Sequence, residues 1–114
     1  MPIRTQSAKA KGRKLQQWVR DKLLALHPEL EPDDIKSTAM GQSGSDIQLS
    51  PLARKSIPLA FECKSHKAFS VYKILDQARD GAHPDCEPVV ILKQDRSKPL
   101  ALVDAEYFLE RISK

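Results

Sequence analysis

Apolar residues recur at three- and four-residue spacing between Gly12 and Leu26. Leu15, Trp18, Val19, Leu23 and Leu26 form one stripe, which predicts an amphipathic helix laid on a core. His27-Pro28 closes it, because the residue before proline is pushed out of the α region. The acidic, proline-containing stretch Glu29–Asp34 reads as a loop, Ile35–Met40 as a first strand and Gly41–Ser45 as a turn. Alternation then takes over: Ile47 and Leu49 share one face of a strand, Asp46 and Gln48 the other. Ser50-Pro51 pairs an N-cap with a proline at the first helical position, predicting a short helical turn through Lys55. From Ile57 to Lys64 the alternation is clearest, with Ile57, Leu59, Phe61 and Cys63 on one side and Pro58, Ala60, Glu62 and Lys64 on the other. Ser70 is placed to cap a helix whose stripe is Val71, Ile74, Leu75 and Ala78 and which runs out at Gly81. Pro88–Leu92 and Leu100–Val103 read as strands, and Asp104 as the cap of a last helix that buries Phe108, Leu109 and Ile112. This α-β-β-β-α-β-β-α order predicts an α/β fold of two or three layers, a mixed central sheet flanked by helices.

Length and charge refine the picture. At 114 residues the chain has room for one core. Residues 1–14 carry Arg4, Lys9, Lys11, Arg13 and Lys14 and no acid, whereas the other hundred residues sum to −1. The expected organisation is a basic, flexible arm over residues 1–11 and a single domain over residues 12–114. An arm of this charge suits the phosphate backbone of DNA, although it would equally serve as a solvated, solubilising tail. Lys93, Arg96 and Lys98 gather in a second basic turn, and Ser43 lies in a loop that either brings backbone amides to a phosphate or is a plain turn. No apolar run approaches the roughly 20 residues of a membrane span, and none near the start resembles a signal peptide. Two cysteines make a poor disulfide framework, so the expected compartment is intracellular and cytoplasmic. Trp18 is assigned to core packing, and Tyr72 and Tyr107 to its rim.

The candidate chemistry rests on Asp46, Glu62 and Lys64. Glu62 and Lys64, two apart on one strand, project from the same face. If residues 46–49 and 57–64 form a hairpin, Asp46 lies across from them. Two converging carboxylates repel, and a divalent cation relieves that cost. Mg²⁺ prefers such hard oxygen donors, and an adjacent lysine supplies positive charge where a phosphoryl transition state is negative. A rival cluster, Cys63 and His66 with His83 and Cys86, has the look of a zinc site. The odd separation of Cys63 and His66 sends them to opposite faces of a continuing strand.

The run Gly44-Ser45-Asp46, followed sixteen positions after the aspartate by Glu62-Cys63-Lys64, resembles the PD-(D/E)XK motif of the restriction-endonuclease-like nuclease superfamily. Together with Lys11-Gly12 on the opening helix it is most similar to the small Holliday-junction resolvases of archaea and the resolvase-like nucleases of phages. The resemblance spans roughly residues 11–93 and implies the αβββαβ core of that superfamily. It implies Asp46 and Glu62 as metal-binding carboxylates, the Cys63 backbone carbonyl as a further ligand, and Lys64 as the group that orients water or stabilises the transition state. Mg²⁺ would be the cofactor, with Mn²⁺ able to substitute. Resolvases carry a glutamate on the first helix where this chain has Gln16, a residue able to hold only a metal-bound water. Gln77 occupies a position where many members carry a polar residue. The implied function is a structure-specific DNA endonuclease, resolving or nicking branched DNA in the cytoplasm (the host's, for a phage protein). Paired cuts would require a homodimer. The alternative is a non-catalytic DNA-binding or recombination-accessory module on the same fold, which Gln16 favours.

Overall fold

The computed structural model describes residues 2–38, 44–66, 68 and 70–113, with side chains from Lys9 onward. Helix α1 spans Pro2–Leu26. It begins at Pro2 rather than near Gly12, so the backbone of the expected arm continues the helix instead of forming a separate segment. Leu15 and Val19 are buried on its inner face, with Leu23 and Leu24 packed beside them. Trp18 and Leu26 are 43% and 72% exposed, which corrects their assignment to the core. They stand at the margin of the stripe, where the sheet no longer covers the helix.

A 3₁₀ turn at Pro32–Asp34 leads into β1 (Ile35–Ser37), which pairs antiparallel with β2 (Ile47–Leu49). Asp34 holds this corner: it accepts hydrogen bonds from the Ser50 hydroxyl at 2.7 Å and the Glu31 N–H at 2.8 Å. Those donors lower its carboxyl below the usual range, the Ser50 hydroxyl most. Helix α2 (Pro51–Ser56) follows, capped as expected by the Ser50 hydroxyl, which accepts from the Ala53 N–H.

Strand β3 (Leu59–Ser65) and β4 (Glu87–Lys93) pair in parallel, and β5 (Leu100–Leu102) adds antiparallel to β4. A parallel pair needs a crossover, and α3 (Val71–Gly81) supplies it. Val89 packs in the core beneath α1 and its neighbour Val90 in the core beneath α3. Successive strand residues face opposite ways, so the two helices cover opposite faces of the sheet. The result is a layered α/β fold, but the central sheet is divided: β1–β2 is a two-stranded sheet and β3–β4–β5 a mixed three-stranded one.

The last helix, α4 (Ala105–Ile112), is capped by Asp104, whose carboxylate accepts from the Tyr107 N–H at 3.0 Å. It does not bury Phe108, Leu109 and Ile112, which are 51–60% exposed. The helix follows the short edge strand β5, and only its Tyr107 side is partly covered. Tyr72 is also fully on the surface of α3 rather than at a packed rim. Among the described residues no helix is long and apolar enough to cross a membrane.

Candidate active site

Residues 46–49 and 57–64 do not form the hairpin that the alternation suggested. β2 pairs with β1 instead, and α2 separates it from β3. What joins the two sheets is Asp46. Its N–H donates to the Phe61 carbonyl at 3.0 Å, and its carbonyl accepts from the Thr38 N–H at 2.8 Å. Its carboxylate Oδ2 accepts from the Cys63 N–H at 2.8 Å. Asp46 therefore reaches the position across from Glu62 without a ladder, pinned through backbone and side chain together.

Three further residues set its surroundings. Thr38, buried, donates its hydroxyl to the Ser45 carbonyl at 2.6 Å and so fixes the approach to Asp46. Gly44 holds φ at +96°, a region disfavoured for any side chain, and lies against Gly81 at the end of α3. Gly44 was foreshadowed beside the aspartate and Gly81 as the end of the second helix, but not their contact with each other.

The backbone of β3 divides by parity. At its ends the Pro58 carbonyl and the His66 N–H bond β4, while Phe61 and Cys63 bond Asp46. N–H and C=O of one strand residue point to the same side, so the Cys63 carbonyl lies on the Asp46 edge, away from β4. Among the described residues this carbonyl has no hydrogen-bond partner, and it lies on the edge that Asp46 occupies.

Glu62 pairs in register with Val90, whose side chain packs beneath α3, and so projects to that face with Lys64. Burial is the main force raising its carboxyl to about 7, followed by the negative charge of Asp46 and a hydrogen bond between the two carboxyl groups. The Lys64 ammonium pulls the other way but does not cancel these effects. Near pH 7 Glu62 is therefore about half protonated. That is the electrostatic signature of a pair that a cation could occupy in place of the proton. Two carboxylates and one backbone carbonyl fit a hard divalent ion that keeps several waters.

Gln16 is not directed to these acids. Its Oε1 accepts a 2.7 Å hydrogen bond from the Ser37 hydroxyl, on the α1 side of β1. Gln77 is exposed on α3. The zinc cluster does not assemble: among the described residues no three His, Cys, Asp or Glu side chains converge on a cation position. Cys63 is buried in the core under α1, and burial, then the charges of Asp46 and Glu62, push its thiol far up. It is an inert packing residue, and its part in the site is its backbone.

The basic candidates separate into two groups. Lys11 and Lys14 of α1 meet Lys93 across a groove of about 310 Å³ that also includes Trp18, Ser65 and Asp95. Lys11 is paired to Asp95 at 2.9 Å across it. Lys9 and Arg13 are exposed elsewhere on α1, and Arg96 and Lys98 are exposed on the β4–β5 turn, where Arg96 takes φ +62°. The Arg4 side chain and Ser43 lie outside the described residues. On the other face a second cavity of about 310 Å³, lined by Gln48, Arg54 and His83, adjoins Ser45 and Ala60.

No known protein family, curated protein or solved structure matches this chain.

Proposed function

We propose that the protein is a divalent-metal-dependent DNA endonuclease with a PD-(D/E)XK-type site on a restriction-endonuclease-like core. The observation that carries this reading is the juxtaposition of Asp46 and Glu62: the Cys63 N–H holds the Asp46 carboxylate close enough for its charge to raise the Glu62 carboxyl, with the Cys63 carbonyl on the same edge and Lys64 on the same face as Glu62. A structural ion pair would not need a second acid, and a structural acid pair would not need Lys64 beside it. Asp46, Glu62 and the Cys63 carbonyl would hold Mg²⁺ or Mn²⁺. A bound metal of this kind polarises a phosphate and lowers the pKa of a water in its coordination shell.

The chain's own part is positional. The Cys63 N–H holds Asp46 Oδ2 and so fixes where this carboxylate sits beside Glu62. Glu62 must give up its proton before it can bind a cation. Lys64 offsets negative charge gathering on the phosphoryl group as water adds to phosphorus. The P–O3′ bond then breaks, the departing 3′-oxygen gains a proton, and the products are a 5′-phosphate and a 3′-hydroxyl. The substrate is DNA distinguished by shape, branched or nicked, since a chain of 114 residues offers little surface for reading a long sequence.

A second reading, a DNA-binding accessory module without catalysis, is favoured by one observation: Gln16 is tied to Ser37 and brings no third acid. The test is cleavage of labelled duplex, nicked, flap and four-way-junction DNA with Mg²⁺, Mn²⁺ or chelator. Metal-dependent cleavage of the branched forms, absent from Glu62→Gln, is the result expected. Binding without cleavage under any metal selects the accessory module.

A further inference from the structure

The groove between α1 and the ends of β3 and β4 has a different chemistry from the carboxylate site. Lys11, Lys14, Trp18 and Lys22 follow one another at three- and four-residue intervals, so they form a stripe along α1. Lys14 and Trp18 line the groove on that side, and Lys93 faces them from the end of β4. Trp18 is an amphipathic ring left 43% exposed, with the Lys22 ammonium 5.5 Å from its centroid. Asp95 is the one acid of the groove, and it is engaged by Lys11.

A large aromatic ring costs free energy when left wet, and a helix surface offers many places where it could be covered. Here it lines a groove together with Lys11, Lys14 and Lys93, and Lys22 lies against its ring from outside that lining. Lysines alone suit any polyanion, including the outside of a duplex. An aromatic face among lysines suits a strand whose bases are unstacked, because a base can lie on the ring while its phosphates meet the ammonium groups. In a paired duplex the bases are stacked on one another and do not reach such a platform.

We propose that this groove binds single-stranded DNA, with a base stacked on Trp18 and the flanking phosphates held by Lys14, Lys93 and, on release from Asp95, Lys11. The inference rests on the nuclease reading for its choice of DNA, and it narrows the substrate to DNA carrying an unpaired strand, such as a flap or gapped branch. Ser65 lines the groove and directly follows Lys64, so it faces α1 while Lys64 and Glu62 face α3, and an unpaired strand held in the groove would reach the carboxylates by passing around the end of β3.

Trp18 is the sole tryptophan, so its fluorescence reports this groove alone. The experiment titrates the full chain, and separately the Glu62→Gln chain, with oligothymidylate and with blunt duplex of equal length. Saturable quenching by the single strand in both chains, much weaker with duplex, is expected. Anisotropy of a labelled oligothymidylate should show Trp18→Ala weakening binding by on the order of ten-fold or more, with Trp18→Phe largely restoring it. Lys14→Ala with Lys93→Ala, two exposed or half-exposed changes that leave the core intact, should flatten the logarithmic salt slope by about 0.7 for each lysine. No quenching by single strands, or equal quenching by duplex, overturns the proposal. Quenching without any cleavage of DNA by the unaltered chain would leave the groove assignment standing and remove only the nuclease reading.

Discussion

The Cys63 N–H donates to Asp46 Oδ2 at 2.8 Å, and this bond connects two strands that share no ladder. A strand N–H on an open edge normally seeks another strand or water. Here a carboxylate takes the place of the missing strand. The same bond fixes an acid beside Glu62 and leaves the Cys63 carbonyl, which faces the same edge, without β4 as a partner. Structure and candidate chemistry are therefore joined at one residue, and substitutions at Asp46 should separate them.

Asp46→Asn keeps an oxygen able to accept from Cys63, so the chain should fold while cleavage falls to background. Asp46→Ala removes the acceptor altogether and should also destabilise the fold by about 1–3 kcal/mol, the cost of an unsatisfied N–H. Lys64→Ala should reduce cleavage by about a hundred- to a thousand-fold without loss of metal binding. Chemical denaturation and single-turnover cleavage of the three variants check both halves. Unchanged cleavage in Asp46→Asn would remove the active-site assignment.

Glu62 makes the metal-free protein sensitive to pH in a definite direction. Its carboxyl titrates near 7 in the folded chain and from 4.5 in its ordinary state, so the folded chain holds the extra proton between those values. That contribution to stability is complete below about 4.5 and is lost as pH rises through about 7. Metal affinity should move oppositely, tightening from pH 6 to pH 8 as the proton leaves. Calorimetry of Mg²⁺ binding near pH 7 in buffers of different ionisation enthalpy should register proton release. Glu62→Gln should abolish the release and flatten the stability profile over this range.

The elements of the sheet were legible because their signals are local. Alternation from Ile57 to Lys64 located β3, and Ser50-Pro51 and Asp104 marked two helix starts that the side chains do cap. Pairing was not legible in the same way. Nothing in the residues near Ile47 says that β2 joins β1 rather than β3, since either partner would bury Ile47 and Leu49. The amphipathic pattern of α4 was real but misleading, because periodicity shows that a helix has an apolar face and cannot say that another element covers it. Trp18 failed for a related reason: it lies at the edge of the α1 stripe, where a shift of one helical position separates core from groove. Residue type and strand parity were enough to single out Asp46, Glu62 and Lys64 as candidates, whereas Thr38 acts through a hydroxyl-to-carbonyl bond that any hydroxyl-bearing residue could make.

Gln16 offers a test of the departure on the first helix. Because its side chain is bonded to Ser37, Gln16→Glu should leave the Mg²⁺ concentration for half-maximal cleavage unchanged. Gln16→Ala should cost about 1 kcal/mol of stability through the lost bond to the Ser37 hydroxyl. A lower Mg²⁺ midpoint in Gln16→Glu would show instead that the side chain can swing to the carboxylates and complete a third acidic ligand. Activity titrations against Mg²⁺, with thermal melts of all three proteins, distinguish these outcomes.

Two glycines should respond to the same substitution with opposite sign. Gly12 lies within α1, and a Cβ built there meets nothing within 4 Å. Gly12→Ala should therefore stabilise the chain by about 0.5–1 kcal/mol, because alanine loses less backbone freedom on entering a helix. Gly44 also has open space around its Cβ position, but its φ of +96° is strained for any residue with a side chain. Gly44→Ala should cost about 1–2 kcal/mol or force the turn to rearrange. The turn feeds directly into Ser45 and Asp46, so rearrangement should appear as a loss of cleavage larger than the loss of stability explains. Thermal melts of the two variants, set beside their cleavage rates well below the melting temperature, measure both quantities. Equal and small effects at Gly12 and Gly44 would mean that the positive φ before Asp46 is not required to place its carboxylate.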